Sequence, residues 1–121
     1  MKIVPRLLNT IIVFFLLFIA GCTNRERARN EAVLKEDLYH MRTAIDQYMQ
    51  DKKMAPQHLT ELVSTGYLES IPKDPFTHSA STWIEVREDA KDSIDRTHPG
   101  LSDVHSGSAQ ISSDGTRYDS W

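Results

Sequence analysis

The most chemically specific residue in this 121-residue chain is its single cysteine, Cys22. A lone thiol allows neither an internal disulfide framework nor a cysteine-based zinc site. It follows Ile19-Ala20-Gly21, and small residues directly before a cysteine fit the pattern in which the thiol accepts a diacylglycerol group. Cys22 is therefore the candidate lipid-attachment residue, and the Gly21–Cys22 bond is the candidate signal-cleavage site. The five histidines, His40, His58, His78, His98 and His105, show no metal-ligand spacing such as i,i+4 on a helix. They are read as exposed or loop histidines, and no metal site is expected. Asp103, His105, Ser106 and Asp114 have the residue types of a hydrolytic triad. No nucleophile elbow or oxyanion-hole glycine pattern accompanies them, and adjacent residues of a strand face opposite ways. The expectation is a protein with no catalytic residues and no cofactor.

The segment that positions Cys22 sets the compartment. Lys2 and Arg6 form a positive n-region, Leu7 and Leu8 follow, and Ile11 to Ala20 is an unbroken apolar run. Two readings of residues 1–21 stay open, a signal peptide cleaved before a lipidated Cys22 or an uncleaved membrane helix. From Leu7 to Cys22 a helix is roughly 24 Å long at about 1.5 Å per residue. A hydrocarbon core is about 30 Å thick, so the stretch is short for a span unless the bilayer thins or flanking residues snorkel. Arg25, Arg27 and Arg29 follow at once, which the positive-inside rule disfavours on the translocated side, with Lys2 and Arg6 competing. Both readings predict a chain that leaves the cytoplasm and stays on a membrane.

Residues 22–53 are expected to form a long amphipathic helix. From Asn24 to Lys53 there is no Pro or Gly, and Leu34, Leu38, Met41, Ile45 and Tyr48 make an apolar seam at helical spacing, widened by Ala44 and Met49. Glu31, Lys35, Glu36, Arg42, Asp46 and Gln50 are placed opposite it, with Glu31 and Lys35 as a favourable i,i+4 pair. Met41 to Met49 is expected to pack on the chain's own head. Leu34 and Leu38 are the better candidates for a helix–helix contact in an assembly, below the reach of the head.

Residues 54–121 are expected to be a small α+β head. Ala55-Pro56 breaks the helix. A short helix over Gln57 to Thr65 ends at Gly66 as a left-handed cap. Ile71 to Phe76, with two prolines, reads as a stiff connector. Trp83 to Arg87 and Leu101 to His105 are strands, with a polar, mobile-looking loop from Asp89 to Gly100 between them. Gln110 to Ser113 or Thr116 to Tyr118 supplies a third strand around the Ser113-Asp114-Gly115-Thr116 turn, and Trp121 folds back as an apolar plug. Charged residues make up 26% and the net charge is −3, so no basic face argues for nucleic acid. A head this small sits near the lower size limit for folding on a hydrophobic core alone.

The order of these pieces resembles a known family. Glu31 to Leu38, Met41-Arg42 and Ala44 to Tyr48 are similar to the C-terminal half of the long helix in type II secretion major pseudopilins of the protein G type. The resemblance continues through Pro56, Leu59-Thr60-Glu61-Leu62-Val63, Gly66-Tyr67-Leu68 and Ile71-Pro72-Lys73-Asp74-Pro75-Phe76. It ends in a serine- and glycine-rich hairpin, Asp103 to Ser108 and Ser112 to Thr116. It implies a pilin-like α+β fold, with a long N-terminal helix packed on a short helix and a small antiparallel sheet. It also implies a structural or accessory subunit of a type II secretion (type IV pilus-like) system. Such a subunit is membrane-anchored, faces the periplasm, and has other pseudopilins or secretion-system components as partners. The family's terminal loops bind calcium; here Asp103, Ser106, Asp114 and Asp119 offer oxygens, but the longer acidic loop has no counterpart. The family also carries a glycine cut by prepilin peptidase, then a phenylalanine and a glutamate in the membrane helix. Leu7 to Cys22 has no acidic residue, and Cys22 stands there instead. That departure carries the alternative, a free periplasm-facing lipoprotein reusing the pilin-like head as a binding or scaffold module.

Overall fold

The computed structural model describes residues 4–121 and is an α+β arrangement with a pilin-like layout. Lys2 of the n-region lies outside the described residues. Helix α1 runs without interruption over Val4–Lys52, on the order of 73 Å at 1.5 Å per residue. Its lower part is bare: every large apolar side chain from Leu7 to Ile19 is exposed. Its upper part is the spine of the head. α1 ends where Lys53 turns left-handed, and its N–H closes the last turn on the Met49 carbonyl at 3.0 Å.

Helix α2, Leu59–Ser64, is shorter than the expected Gln57–Thr65. The difference lies in where the first N–H groups go. Gln57 N–H donates to Glu61 at 2.6 Å and Leu59 N–H to Glu85 at 2.9 Å, so side chains stand in for a preceding turn. Gly66 caps the far end as expected, at φ +85°. Tyr67 N–H donates to the Leu62 carbonyl and Gly66 N–H to that of Val63, the Schellman pairing.

Strands β1, Ile84–Arg87, and β2, Leu101–His105, form a two-stranded antiparallel sheet. Ile84 pairs with His105, Glu85 with Val104 and Val86 with Asp103; the register then shifts so that Arg87 pairs with Leu101. The expected third strand does not form. Ile111 and Arg117 share one isolated bridge, and Tyr118–Ser120 is a 3-10 turn. Ser112 and Asp114 side chains take the partners that a ladder would need: the Ser112 hydroxyl donates to Asp114, which accepts from Thr116 N–H at 3.0 Å. The segment from Asp89 to Gly100 is a run of turns, with Asp89 accepting from Lys91 N–H and Asp95 from Thr97 N–H, both at 3.0 Å.

One core joins all elements. Leu34, Leu38, Met41, Ala44, Ile45 and Tyr48 of α1 meet Leu59 and Leu62 of α2, Trp83 just before β1, Leu101 and Val104 of β2, and Tyr118. Burying each of the larger side chains contributes about 1.5–3 kcal/mol. The head thus reaches lower than the seam suggested: Leu34 and Leu38 are 0% and 2% exposed and belong to the intramolecular core. They are not available for an assembly contact. Tyr118 belongs to the same core, stacked on Phe76 at 3.8 Å, with Trp121 meeting it edge-on at 5.2 Å. Trp121 therefore folds back as expected, half-buried at the rim of the core.

Close packing leaves no room for a side chain at Gly100 or Gly107. A Cβ on Gly107 would lie 2.1 Å from the Thr82 carbonyl oxygen, a backbone atom that cannot rotate away. Gly107→Ala is expected to destabilise the head by about 1–3 kcal/mol, measured by thermal unfolding of the full chain in detergent micelles. A change below about 0.5 kcal/mol, the range of a neutral surface substitution, contradicts this packing.

Candidate functional site

The described residues form an apolar shaft, a thiol at its upper end, and a head held to the shaft by buried and part-buried polar groups. Cys22 is exposed on the surface of α1, beside Gly21 and above the apolar stretch. A Cβ added at Gly21 would meet nothing within 4 Å, so the helix surface is open at this position. The helix is long and apolar enough to serve as a membrane anchor or signal sequence.

Three polar clasps hold the head to α1 and to itself. The first is Glu31, which the helical pattern placed on the polar face. It is buried, and accepts hydrogen bonds from Ser113 N–H at 2.7 Å, the Ser113 hydroxyl at 2.6 Å and the Tyr118 hydroxyl at 2.8 Å. The expected pairing with Lys35 is not among the ion pairs of the described residues. The Lys35 ammonium instead lies 4.8 Å from the centre of the Trp121 ring, a cation–π distance.

The second clasp is Arg42, also expected on the polar face. It donates to Asp103 at 2.7 Å, and to the main-chain oxygens of Val104 and Trp121 at 2.9 Å each. One guanidinium thus ties the middle of α1 to β2 and to the terminal segment.

The third is Asp74, fully buried within the Pro-rich connector. Its Oδ2 accepts from the Ser106 hydroxyl at 2.5 Å and Gly107 N–H at 3.2 Å, and its Oδ1 from Phe76 N–H at 2.8 Å and Thr77 N–H at 3.3 Å. The connector, the turn after it and the exit of β2 are fastened at one carboxyl group. A further acid, Glu61, performs the same service for α2, accepting from Gln57 N–H and from the Tyr48 hydroxyl at 2.7 Å.

These geometries disperse the residues that could have formed a catalytic or calcium site. Ser106 is fully buried and committed to Asp74. His105 lies against the Trp121 main-chain oxygen, with its Nε2 3.7 Å from Asp103. Asp103 is held by Arg42, Asp114 by Ser112 and Thr116, and Asp119 by Arg117 at 2.6 Å. Among the described residues no group of three or more His, Cys, Asp or Glu side chains converges on a common point. A groove of about 380 Å³ is an open trough between α1 and the segment after α2, lined by Asp37, His40, Gln47, Tyr67 and Glu69 among others.

The clasps respond to acid. Burial alone would raise the Glu31 carboxyl, but the Ser113 and Tyr118 hydrogen bonds outweigh it and hold the group below the usual range. Asp103 is likewise lowered: desolvation opposes, and the Val104 N–H and Arg42 prevail. Glu61 is lowered by Gln57 N–H and Tyr48. Burial and then Glu31 push the Tyr118 phenol up to about 12. Depressed carboxyls contribute stability above their unfolded values, and that contribution is lost as pH falls through the folded ones. Asp37, raised chiefly by burial and by Glu36, acts in the opposite sense over its own range. Asp95, Asp114 and Asp119 are lowered as well by their local hydrogen bonds, so the net expectation is a midpoint that is flat near neutrality and falls below about pH 4. In a domain of this size each 1 kcal/mol lost is roughly 4–8 °C. A Glu31→Gln variant whose acid profile matches that of the parent contradicts the assignment of Glu31.

Gly21 and Cys22 lie on the exposed surface of α1, and the helical pattern did not mark Glu31, Arg42 and Asp74 as the groups that hold the head. The one available signal was Asp74, since an aspartate before Pro75 commonly turns its carboxyl onto the N–H two residues on. Comparison with protein-family models, curated proteins and solved structures gives no match for this chain.

Proposed function

We propose that this protein is a non-catalytic, structural or accessory subunit of a type II secretion (type IV pilus-like) system, anchored in the membrane with its head in the periplasm. The observation that carries this reading is the single helix Val4–Lys52, bare and apolar below and built into the head above. A head clasped at Glu31, Arg42 and Asp74 passes force to the shaft as one body, which a subunit of a pushing or scaffolding assembly needs. The pieces that resemble pseudopilins also have structural work here. Pro56 follows the end of α1, Gly66-Tyr67-Leu68 closes α2, Asp74-Pro75 carries the buried hub, and Ser112 to Thr116 forms the turn that returns the chain to Glu31. Deletion of the gene in its native cell is expected to leave secreted proteins in the periplasm, with export restored by the full chain. Export unchanged by the deletion contradicts this function.

A second reading is favoured by Cys22 itself, exposed after Gly21 on a shaft with no acidic residue between Leu7 and Cys22. In it the head is that of a free lipoprotein, a binding or scaffold module. Metabolic palmitate labelling of the chain that disappears in Cys22→Ala supports lipidation, and labelling that persists, or never occurs, rejects it.

A further inference from the structure

Three arginines, Arg25, Arg27 and Arg29, occupy little more than one turn of α1 directly above the apolar stretch, and all three are exposed. Among the described residues none of them is in an ion pair. At 100° per residue they point to more than one side of the helix, a collar rather than a stripe. They also stand where the positive-inside rule disfavours them, on the far side of the apolar segment from Arg6.

The underside of the head descends to the same level. A groove of about 230 Å³ opens between α1 and the turn after Asp74, with Glu26, Arg27, Asn30, His78 and Gln110 among its lining residues. His78 is held there in the left-handed region, φ +58°, while its N–H donates to the Asp74 carbonyl at 2.8 Å. Apart from Glu26, these polar side chains offer an anion a guanidinium, two amides and an imidazole.

We propose that the collar and this groove bind the phosphate headgroups of anionic phospholipids, seating the head on the bilayer surface. The axial positions agree. Arg25 to Arg29 lie roughly 5–10 Å beyond Cys22 along the helix, and a headgroup layer is on the order of 5–8 Å deep. This holds under both readings of the anchor. An uncleaved helix of roughly 24 Å is short for its bilayer and draws the collar inward. A lipidated Cys22 starts the chain at the acyl boundary, again with the arginines among the phosphates. The contact rests on membrane attachment and not on the secretion assignment.

The test uses the full chain in nanodiscs of phosphatidylcholine alone or mixed with phosphatidylglycerol, with retained lipid identified by native mass spectrometry after detergent release. The parent is expected to retain phosphatidylglycerol preferentially. Arg→Gln at the three positions should reduce that preference roughly fivefold per arginine, Arg27→Gln with His78→Ala should reduce it in part, and Arg→Lys should keep most of it. Incorporation with no preference, or a preference unchanged in the triple Gln variant, overturns the headgroup contact and leaves the anchor standing. A chain that enters neither bilayer overturns both.

Discussion

Asp74→Ala is expected to destabilise the head by about 3–5 kcal/mol, enough to unfold a large fraction of a small domain. The substitution strips the acceptor from two side-chain or main-chain donors at Oδ2, Ser106 and Gly107, and from Phe76 and Thr77 N–H at Oδ1. Each donor left buried without a partner costs about 1–3 kcal/mol, and water can reach only some of them. Asp74→Asn keeps one oxygen for Phe76 and Thr77 but sets an amide NH2 against Gly107 N–H, so roughly half of the loss should remain. Denaturant unfolding of the full chain in micelles, followed by tryptophan fluorescence, measures both. An alanine variant within about 0.5 kcal/mol of the parent, the range of a surface change, would remove Asp74 from the account.

The second large effect distinguishes a covered seam from an open one. Leu34→Ala should cost about 2–5 kcal/mol, the range for a fully buried leucine replaced by alanine. Val33→Ala, one residue away but exposed, should cost less than about 0.5 kcal/mol. If Leu34 faced a neighbouring subunit instead, its loss would leave the isolated head's stability nearly unchanged.

The contrast between Leu34 and Val33 also shows what local pattern carries and what it does not. The apolar period from Leu34 to Tyr48 specified a helix and its buried face, because that face repeats every three or four residues. How far down the face is covered depends on a return of the chain: Ser113 and Tyr118 reach Glu31 from 82 and 87 residues away. Nothing near Glu31 in sequence signals that meeting, so a charged residue at a polar helical position became a buried acceptor. Arg42 was illegible for the same reason, its partners lying between 61 and 79 residues on.

Turn chemistry was legible where one residue type settles it. Gly66 takes a positive φ that its neighbours would resist, and Pro56 cannot continue α1. No third strand forms at Gln110 to Ser113 or Thr116 to Tyr118, because Ser112, Asp114 and Thr116 side chains bond one another and the local backbone. Of the shaft, its apolar character and thiol are readable, but its continuity as one helix over Val4–Lys52 is not. Whether its thiol carries lipid is a matter of processing that helical geometry does not encode.

The most direct test of the mechanical account is site-specific photo-cross-linking in the native cell. A photoreactive amino acid is placed at Tyr39, which is 67% exposed on the face of α1 turned away from the head. The account predicts adducts with other pseudopilin-like subunits or with inner-membrane components of the secretion apparatus. Tyr39 adducts confined to unrelated envelope proteins, or none from a correctly folded and membrane-bound chain, would contradict it.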